Sequence, residues 1–324
     1  MFNITIVGMG LIGTSLGMAL RSANEEQARL GPTVITGYDR DPRATAEARG
    51  RLAIDRQART LTEALHEADL VVVAVPALVA RELFREMAPL LAHGAIVTDT
   101  ISTKAQVLEW AREMLPRTAS FVGGHPMAGK EQSGAQAADP HLLNGAIYCL
   151  TPDALTKPEA VQVVEAMVRQ AGAKPYYLDP LEHDSFVAGV SHLPFLLSTG
   201  LVEVTTASSS WREMSTLAAT GYRDMSRLAS GDTVMHRDIC LTNAEAITRW
   251  IDATSEWLAD LRAHLATHDA AALDAMFEHA RAQREALLVA RPGLRPGEDD
   301  FMTPGGVQPE RRGLFGLGGG RKKV

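Results

Sequence analysis

With 324 residues, 46% of them hydrophobic and 22% charged, the chain has ordinary globular composition and is long enough for about two domains. Its net charge of −7 excludes a basic nucleic-acid surface, and Cys149 and Cys240 are too few for a disulfide framework or a cysteine metal cluster; no metal, no nucleic acid and a reducing, cytoplasmic setting are expected. The chain opens directly on a strand pattern without a charged leader, and no apolar run reaches the roughly 18 residues of a membrane span, so neither a signal peptide nor a membrane partner is expected.

The first stretch, residues 4–17, reads as a buried strand, a glycine turn and the start of a helix. Ile4, Ile6 and Val7 are strand formers. Gly8, Gly10 and Gly13 then have the G-x-G-x-x-G spacing of a dinucleotide turn, with Leu11 and Ile12 inside it. Gly8 permits the tight turn, Gly10 lets the backbone approach a pyrophosphate, and Gly13 lets the helix lie close to the strand. The helix N-terminus offers unpaired N–H groups to the phosphates. A second β-rich run from Thr33 ends in Asp39, an acid placed to accept the ribose hydroxyls of NAD and to repel the extra phosphate of NADP. It lies somewhat further past Gly13 than the usual spacing of about 20 residues, the excess being the polar insert 24–32. Arg40 beside it could bind that phosphate, but reads more simply as a surface arginine stacking on adenine.

Helical patterns at 42–51 and 60–68 follow, then a continuous apolar strand ending at Val75 and Pro76. A helix at 79–91, a strand at 95–99 leading to Ser102 and Lys104, and a helix at 105–115 come next. A strand at 120–124 runs into His125-Pro126-Met127-Ala128-Gly129. A strand at 146–150, a helix at 158–171 and a strand at 174–178 complete an alternation that predicts a doubly wound parallel sheet of Rossmann type. In such sheets ligands bind at the carboxyl ends of the strands. The turn Gly8–Gly13, Asp39, Val75, Pro76, Ser102 and His125 all fall there. From Pro180 strand signals stop. Helices are expected at 181–190, 193–206, 211–219, 237–266 and 270–290, giving an all-helical second domain. The boundaries are 1–179, 180–291 and a glycine- and proline-rich tail, 292–324, expected to be disordered.

His125 is the strongest candidate for proton chemistry, preceded by two glycines and followed by a proline that fixes the chain locally. Ser102 ends the adjacent strand and Glu131 lies just downstream. His183 and His192 lack a one-helix metal spacing and cysteine partners. Arg223 and Arg227 sit at i, i+4 and would share a helix face, where such a pair can clamp a carboxylate.

These residues carry a resemblance. Gly8-Met9-Gly10-Leu11-Ile12-Gly13, Asp99-Thr100-Ile101-Ser102-Thr103-Lys104, Gly124-His125-Pro126-Met127-Ala128-Gly129, His183-Asp184, Ser191-His192-Leu193-Pro194, Arg223-Asp224-Met225-Ser226-Arg227 and Met235-His236-Arg237-Asp238-Ile239 occur in the order seen in the prephenate/arogenate dehydrogenase family of tyrosine biosynthesis, which the chain resembles over roughly residues 1–290. The resemblance implies a Rossmann domain, a helical domain that forms a homodimer, and NAD-dependent oxidative decarboxylation of a small cyclohexadienol. It implies that His125 takes the ring-hydroxyl proton, that Ser102 bonds the hydroxyl and orients His125, and that Arg227, Glu131 and His192 bind substrate, Glu131 also gating access. Some prephenate-preferring members carry a histidine where this chain has Phe195. A phenyl ring offers only a face that favours a cation, so arogenate is expected to be accepted at least as readily as prephenate. Two other readings keep the glycine turn. One is a two-domain NAD(P) oxidoreductase of the 3-hydroxyacid dehydrogenase or imine reductase type, which lacks the Gly-His-Pro-Met-Ala-Gly loop. The other is an NAD-responsive regulator, which needs none of Ser102, His125 and Arg227.

Overall fold

The computed structural model describes residues 1–23, 28–130 and 132–291; Glu131, part of the insert 24–32 and the tail 292–324 lie outside the described residues. Two compact units divide the chain at Ala270. Among the described residues the first holds eight strands and twelve α-helices, and the second a single helix.

In chain order the α/β part runs β1 (Phe2–Val7), α1 (Leu11–Ser22), β2 (Thr33–Tyr38), α2 (Pro42–Gly50), β3 (Arg56–Gln57), α3 (Leu61–Leu65), β4 (Leu70–Val73), α4 (Ala77–Met87), β5 (Ile96–Asp99), α5 (Ala105–Met114), β6 (Ser120–Pro126), β7 (Ile147–Thr151), α6 (Pro158–Gln170) and β8 (Lys174–Tyr177). They form one sheet of order β3-β2-β1-β4-β5-β6-β7-β8. Alternate residues of each central strand serve two different cores. Ile4, Ile6, Leu70 and Val72 pack with Leu16, Tyr148 and Val164 on one face. Val7, Val71, Val73 and Val97 pack with Phe84, Val107 and Trp110 on the other. Burial on both faces is why these strands read as unbroken apolar runs.

Three expectations about the sheet change. It is not wholly parallel: β7 runs antiparallel to β6. Among its described residues the connection 127–146 contains the short 3-10 turn Ala135–Ala137 and no crossover helix, so the chain returns beside the strand it left. Strand β6 runs on through His125 to Pro126, where a loop was expected from His125 onward, because β7 pairs with it beyond the end of β5. Strand β3, two residues long, has no sequence signal.

The helical part runs α7 (Pro180–Val187), a π turn (Ala188–His192), α8 (Leu193–Thr206), α9 (Trp211–Thr216), α10 (Thr220–Ser226), a 3-10 turn (Arg227–Ser230), α11 (Thr233–Thr242), α12 (Ala244–Ala266) and, in the second unit, α13 (Ala270–Ala290). The rod Pro180–Thr206 corrects the expectation about apolar runs. An 18-residue window within it has a mean hydropathy of 1.5, which makes the rod long and apolar enough, by composition, to cross a membrane. The expected helix 237–266 is two helices broken at Asn243, and the expected helix 211–219 ends at Thr216.

Candidate functional site

At the carboxyl edge of β1, Gly8 has φ of +100°, and a Cβ there would lie 2.3 Å from the Ala74 carbonyl oxygen. A Cβ on Gly13 would lie 2.0 Å from the Gly8 oxygen, whereas at Gly10 nothing lies within 4 Å. Gly8 and Gly13 are thus fixed by packing, and Gly10 faces open space into which a ligand backbone fits. Gly10 is the N-cap of α1 and supplies no side-chain cap, so the first N–H groups, from Leu11 onward, have no intrahelical partner. Asp39 holds the turn from the side: Met9 N–H donates to its Oδ2 at 2.7 Å and Asp41 N–H to its Oδ1 at 2.9 Å. A cleft of about 280 Å³ opens here, lined by Gly8, Gly10, Tyr38, Asp39, Val75 and Pro76 among others. Arg40 also lines it and pairs with Glu86 at 3.8 Å.

Two other helices, α4 and α5, also begin at this edge, and each could attract an anion. Both are already capped by carboxylates from the helical part. Asp238 Oδ2 accepts the Leu78 N–H at 3.0 Å. Asp184 accepts the N–H groups of Lys104 at 2.7 Å and Ala105 at 2.9 Å. Of these three N-termini, only that of α1 has no carboxylate on its first N–H groups among the described residues.

His125 lies at the end of β6, 7% exposed, paired across the sheet with Cys149. Its Nδ1 is 2.9 Å from His183 Nε2, and His183 Nδ1 is 2.8 Å from Asp184 Oδ1. The hydrogen positions follow from this chain by assignment. Asp184 already accepts two backbone N–H groups and acts as a carboxylate, so His183 carries its proton on Nδ1. His183 Nε2 is then an acceptor, His125 must donate from Nδ1, and the lone pair of His125 is on Nε2. Burial, then the neighbouring His183, Lys104 and His192, hold the His125 pKa well below its ordinary value. The imidazole is a free base at neutral pH.

His192 is fully buried in the π turn. Pro194, two residues on, has no N–H and would crowd the carbonyl of Val190 in a regular helix. The widened turn, closed by Leu193 N–H to Ala188 O, accommodates it and sets the direction of His192. Asn243, at the break between α11 and α12, donates to the Asp184 carbonyl at 2.8 Å and to His192 Nδ1 at 3.2 Å. That leaves the His192 proton on Nε2, which has no partner among the described residues. Burial pushes its pKa down to about 4, against the opposing pull of Asp184. Phe195 packs in the helical core with Ala188, Ile239 and Ile247, and its ring stacks on His236 at 4.1 Å between centroids. The expected open ring face is therefore occupied by an imidazole of the same chain.

Ser102 is half-buried just past β5 and makes no side-chain hydrogen bond among the described residues. The group that orients His125 here is His183, not Ser102. Arg223 and Arg227 do not share an α-helix: α10 ends at Ser226, Arg223 pairs with Asp224 at the surface, and exposed Arg227 opens the 3-10 turn. That turn is tied to α8 by Ala229 N–H donating to Ser198 Oγ at 3.0 Å. No group of three or more potential metal-ligating side chains comes together among the described residues. Sequence reasoning named His183 and Asp184 only as part of a motif and gave Asn243 no role. The one available signal was the adjacent histidine–aspartate pair in the first turn of a helix, placing an imidazole beside its own acid.

Comparison with known proteins agrees with this arrangement. Residues 24–177 match the family described as prephenate dehydrogenase, nucleotide-binding domain, and residues 179–279 match prephenate dehydrogenase, dimerization domain. The chain is 32% identical to a prephenate dehydrogenase of Lactococcus lactis subsp. cremoris over 97% of its own length and 84% of the relative's. A crystal structure of prephenate dehydrogenase from A. aeolicus in complex with hydroxyphenyl propionate and NAD+ superposes with a TM-score of 0.81 at 27% identity, covering 89% of this chain and 98% of that one. The arogenate dehydrogenase of Synechocystis superposes with a TM-score of 0.73, also at 27% identity, over 88% of this chain and 100% of that one. A glycine turn, a buried histidine chain and a helical second part arranged in this order, with matches across nearly the whole length, mean that the chain belongs to the prephenate dehydrogenase family.

Proposed function

We propose that this chain catalyses the NAD-dependent oxidative decarboxylation of prephenate, arogenate or both, working as a homodimer in the cytoplasm. The observation that carries the reading is the buried Asp184–His183–His125 chain beside an uncapped glycine-turn helix, in a protein of this family. The free thiols Cys149 and Cys240 suit a reducing compartment.

The cofactor fits the residues present. The Gly8–Gly13 turn with the first N–H groups of Leu11 and Ile12 would hold the pyrophosphate, Asp39 the ribose hydroxyls, and Val75 and Pro76 the wall of the cleft. The pairing of Arg40 with Glu86 supports NAD over NADP. When bound, NAD supplies the hydride acceptor. His125 Nε2 accepts the proton of the ring hydroxyl as the base. As His125 becomes an imidazolium its Nδ1–H bond to His183 strengthens, and the Asp184 carboxylate at the end of the chain offsets the developing charge. Loss of the ring carboxylate as carbon dioxide leaves the ring aromatic. The buried Nε2–H of His192 would donate to a substrate oxygen, Arg227 would bind a carboxylate, and Ser102 would bond the ring hydroxyl. Glu131, in the connection after β6, would position substrate or gate its entry. Steady-state kinetics of purified protein on prephenate and arogenate, each with NAD and NADP, test the reading. NAD-dependent turnover of at least one substrate is expected, and turnover of neither would overturn it.

A further inference from the structure

Strands β5 and β6 pair only as far as Thr98 and Val122. After Asp99 the chain turns away towards Ser102 and α5, while β6 continues through Gly123, Gly124 and His125, held on its other side by β7. Gly124 thus loses its backbone partner on the β5 side one residue before His125. Two side chains take the vacated place. Asp99 Oδ1 accepts the Gly124 N–H at 3.0 Å, and Lys104 Nζ donates to the Gly124 carbonyl at 2.7 Å. Lys104 and Asp99 are also paired with each other, and both side chains are completely buried. Asp99 Oδ2 further accepts the Ile101 N–H at 3.0 Å, so its contacts call for a carboxylate and those of Lys104 for an ammonium. Gly124 has to be glycine for this approach: a Cβ would stand 2.5 Å from the Asp99 carbonyl oxygen.

A buried ion pair is a poor stabiliser, because the cost of removing both charges from water often equals what the pairing returns. Its use has to be sought in what it holds. We infer that Lys104 and Asp99 are positioning residues for His125: together they replace strand β5 as the hydrogen-bonding partner of Gly124 and fix the backbone of the base, while His183 fixes its ring. This rests on the reading of His125 as the base. The electrostatics agree with the geometry. The groups facing His125 are His183 and Asp184 from α7, His192 from the π turn, Lys104 and Asp99 from the end of β5, and Cys149 from β7. Among the influences that lower the His125 pKa, Lys104 comes after burial and His183.

The test compares wild type, Lys104→Met, the double variant Asp99→Asn/Lys104→Met and His125→Asn. The readouts are kcat, KM, the pH dependence of kcat/KM and an imidazole 15N NMR titration of His125. Misplacing a reacting group by about 1 Å costs roughly 10²-fold, so Lys104→Met should lower kcat on that scale. KM should stay near wild type, the acid limb should move to higher pH, and His125 should titrate at higher pH. The double variant leaves no unpaired buried charge, so it should fold even where the single variant does not, and it should show the same loss. Wild-type kcat and an unmoved acid limb in either folded variant would overturn the inference, whatever happens to Tm. His125→Asn separates the two ideas: if it retains turnover, the base assignment itself fails, and if it does not, an unaffected Lys104→Met variant sinks only the positioning role.

Discussion

At His125 the chemistry is decided by which nitrogen carries the proton, and that is set two residues away in the chain of bonds, at Asp184. Replacing the base by asparagine keeps a polar side chain of similar reach but removes the proton acceptor. Loss of a general base typically costs about 10²–10⁴-fold; for His125→Asn that loss should appear in kcat, with NAD affinity, measured by fluorescence titration, unchanged. Near wild-type kcat would make His125 structural. His192 supplies a second prediction, through stability. Its folded pKa of about 4 is below the unfolded value near 6.5, so between those values the unfolded chain binds more protons than the folded one. Stability is therefore fully present above pH 6.5 and is lost as pH falls from 6.5 towards 4, by up to about 1.4 kcal/mol per pH unit. Denaturant melts across that range should show the slope, and His192→Asn should flatten it. An equal slope in both proteins would assign the acid sensitivity elsewhere. Both histidines were visible in the sequence as candidates. What was not visible was which of their nitrogens is engaged, because His183 and Asn243 reach them from 58 and 51 residues away.

Among the elements, the helices α4 and α5 show how the helical part meets the sheet edge. Asp238 of α11 caps α4 and Asp184 of α7 caps α5, so the helical part both docks on the sheet edge and removes two competing phosphate positions. Asp238 is buried and also pairs with Arg237, through Oδ1. Loss of a helix cap costs about 0.5–2 kcal/mol, and Asp238→Ala should lower stability by at least that amount in urea unfolding. Asp238→Asn keeps an acceptor and should recover part of it. A variant as stable as wild type would show that the docking does not depend on the cap. The strands of this edge were legible because burial on both faces leaves continuous apolar runs such as Leu70–Val73. The antiparallel β7, the π turn and the break at Asn243 were not. Strand direction depends on how a connection returns, a π turn on where one proline falls, and a helix break on a side chain that finds its partners only in the folded state. The pair of arginines straddles a boundary that the i, i+4 spacing did not show: α10 stops at Ser226 and a 3-10 turn begins at Arg227.

At the scale of the molecule, the described residues leave apolar side chains uncovered, among them a stripe on the helical part. Along the rod Pro180–Thr206, Phe186, Val190, Leu197 and Val204 are exposed, 51%, 75%, 43% and 76% respectively. Val190, Leu197 and Val204 recur every seven residues, and Phe186 precedes Val190 by four, which is the spacing of an apolar helix seam. Four polar residues of the same rod, His183, Asp184, His192 and Ser198, are buried beside the apolar Val187, Ala188 and Phe195. An uncovered line of apolar side chains along a helix calls for a surface to pack against. A bilayer would satisfy the outer stripe, but His183 and Asp184 of the same rod are already bonded to His125, Lys104 and Ala105 at the sheet edge. A second copy of the chain would satisfy the stripe without disturbing those bonds, in keeping with the match of residues 179–279 to a dimerization domain. A stable interface buries about 1,600 Å² in total, more than the four side chains of the stripe alone supply, so flanking helices would have to join it. Sedimentation equilibrium should therefore give twice the 34.9 kDa chain mass, with Tm rising with protein concentration. Leu197→Asp together with Val204→Asp puts two charges in the seam and touches none of the residues around His125. This variant should sediment as a monomer at concentrations where wild type is a dimer. If it remains a dimer with an unchanged dissociation constant, the subunits meet through another face, and the stripe on the rod requires a different partner.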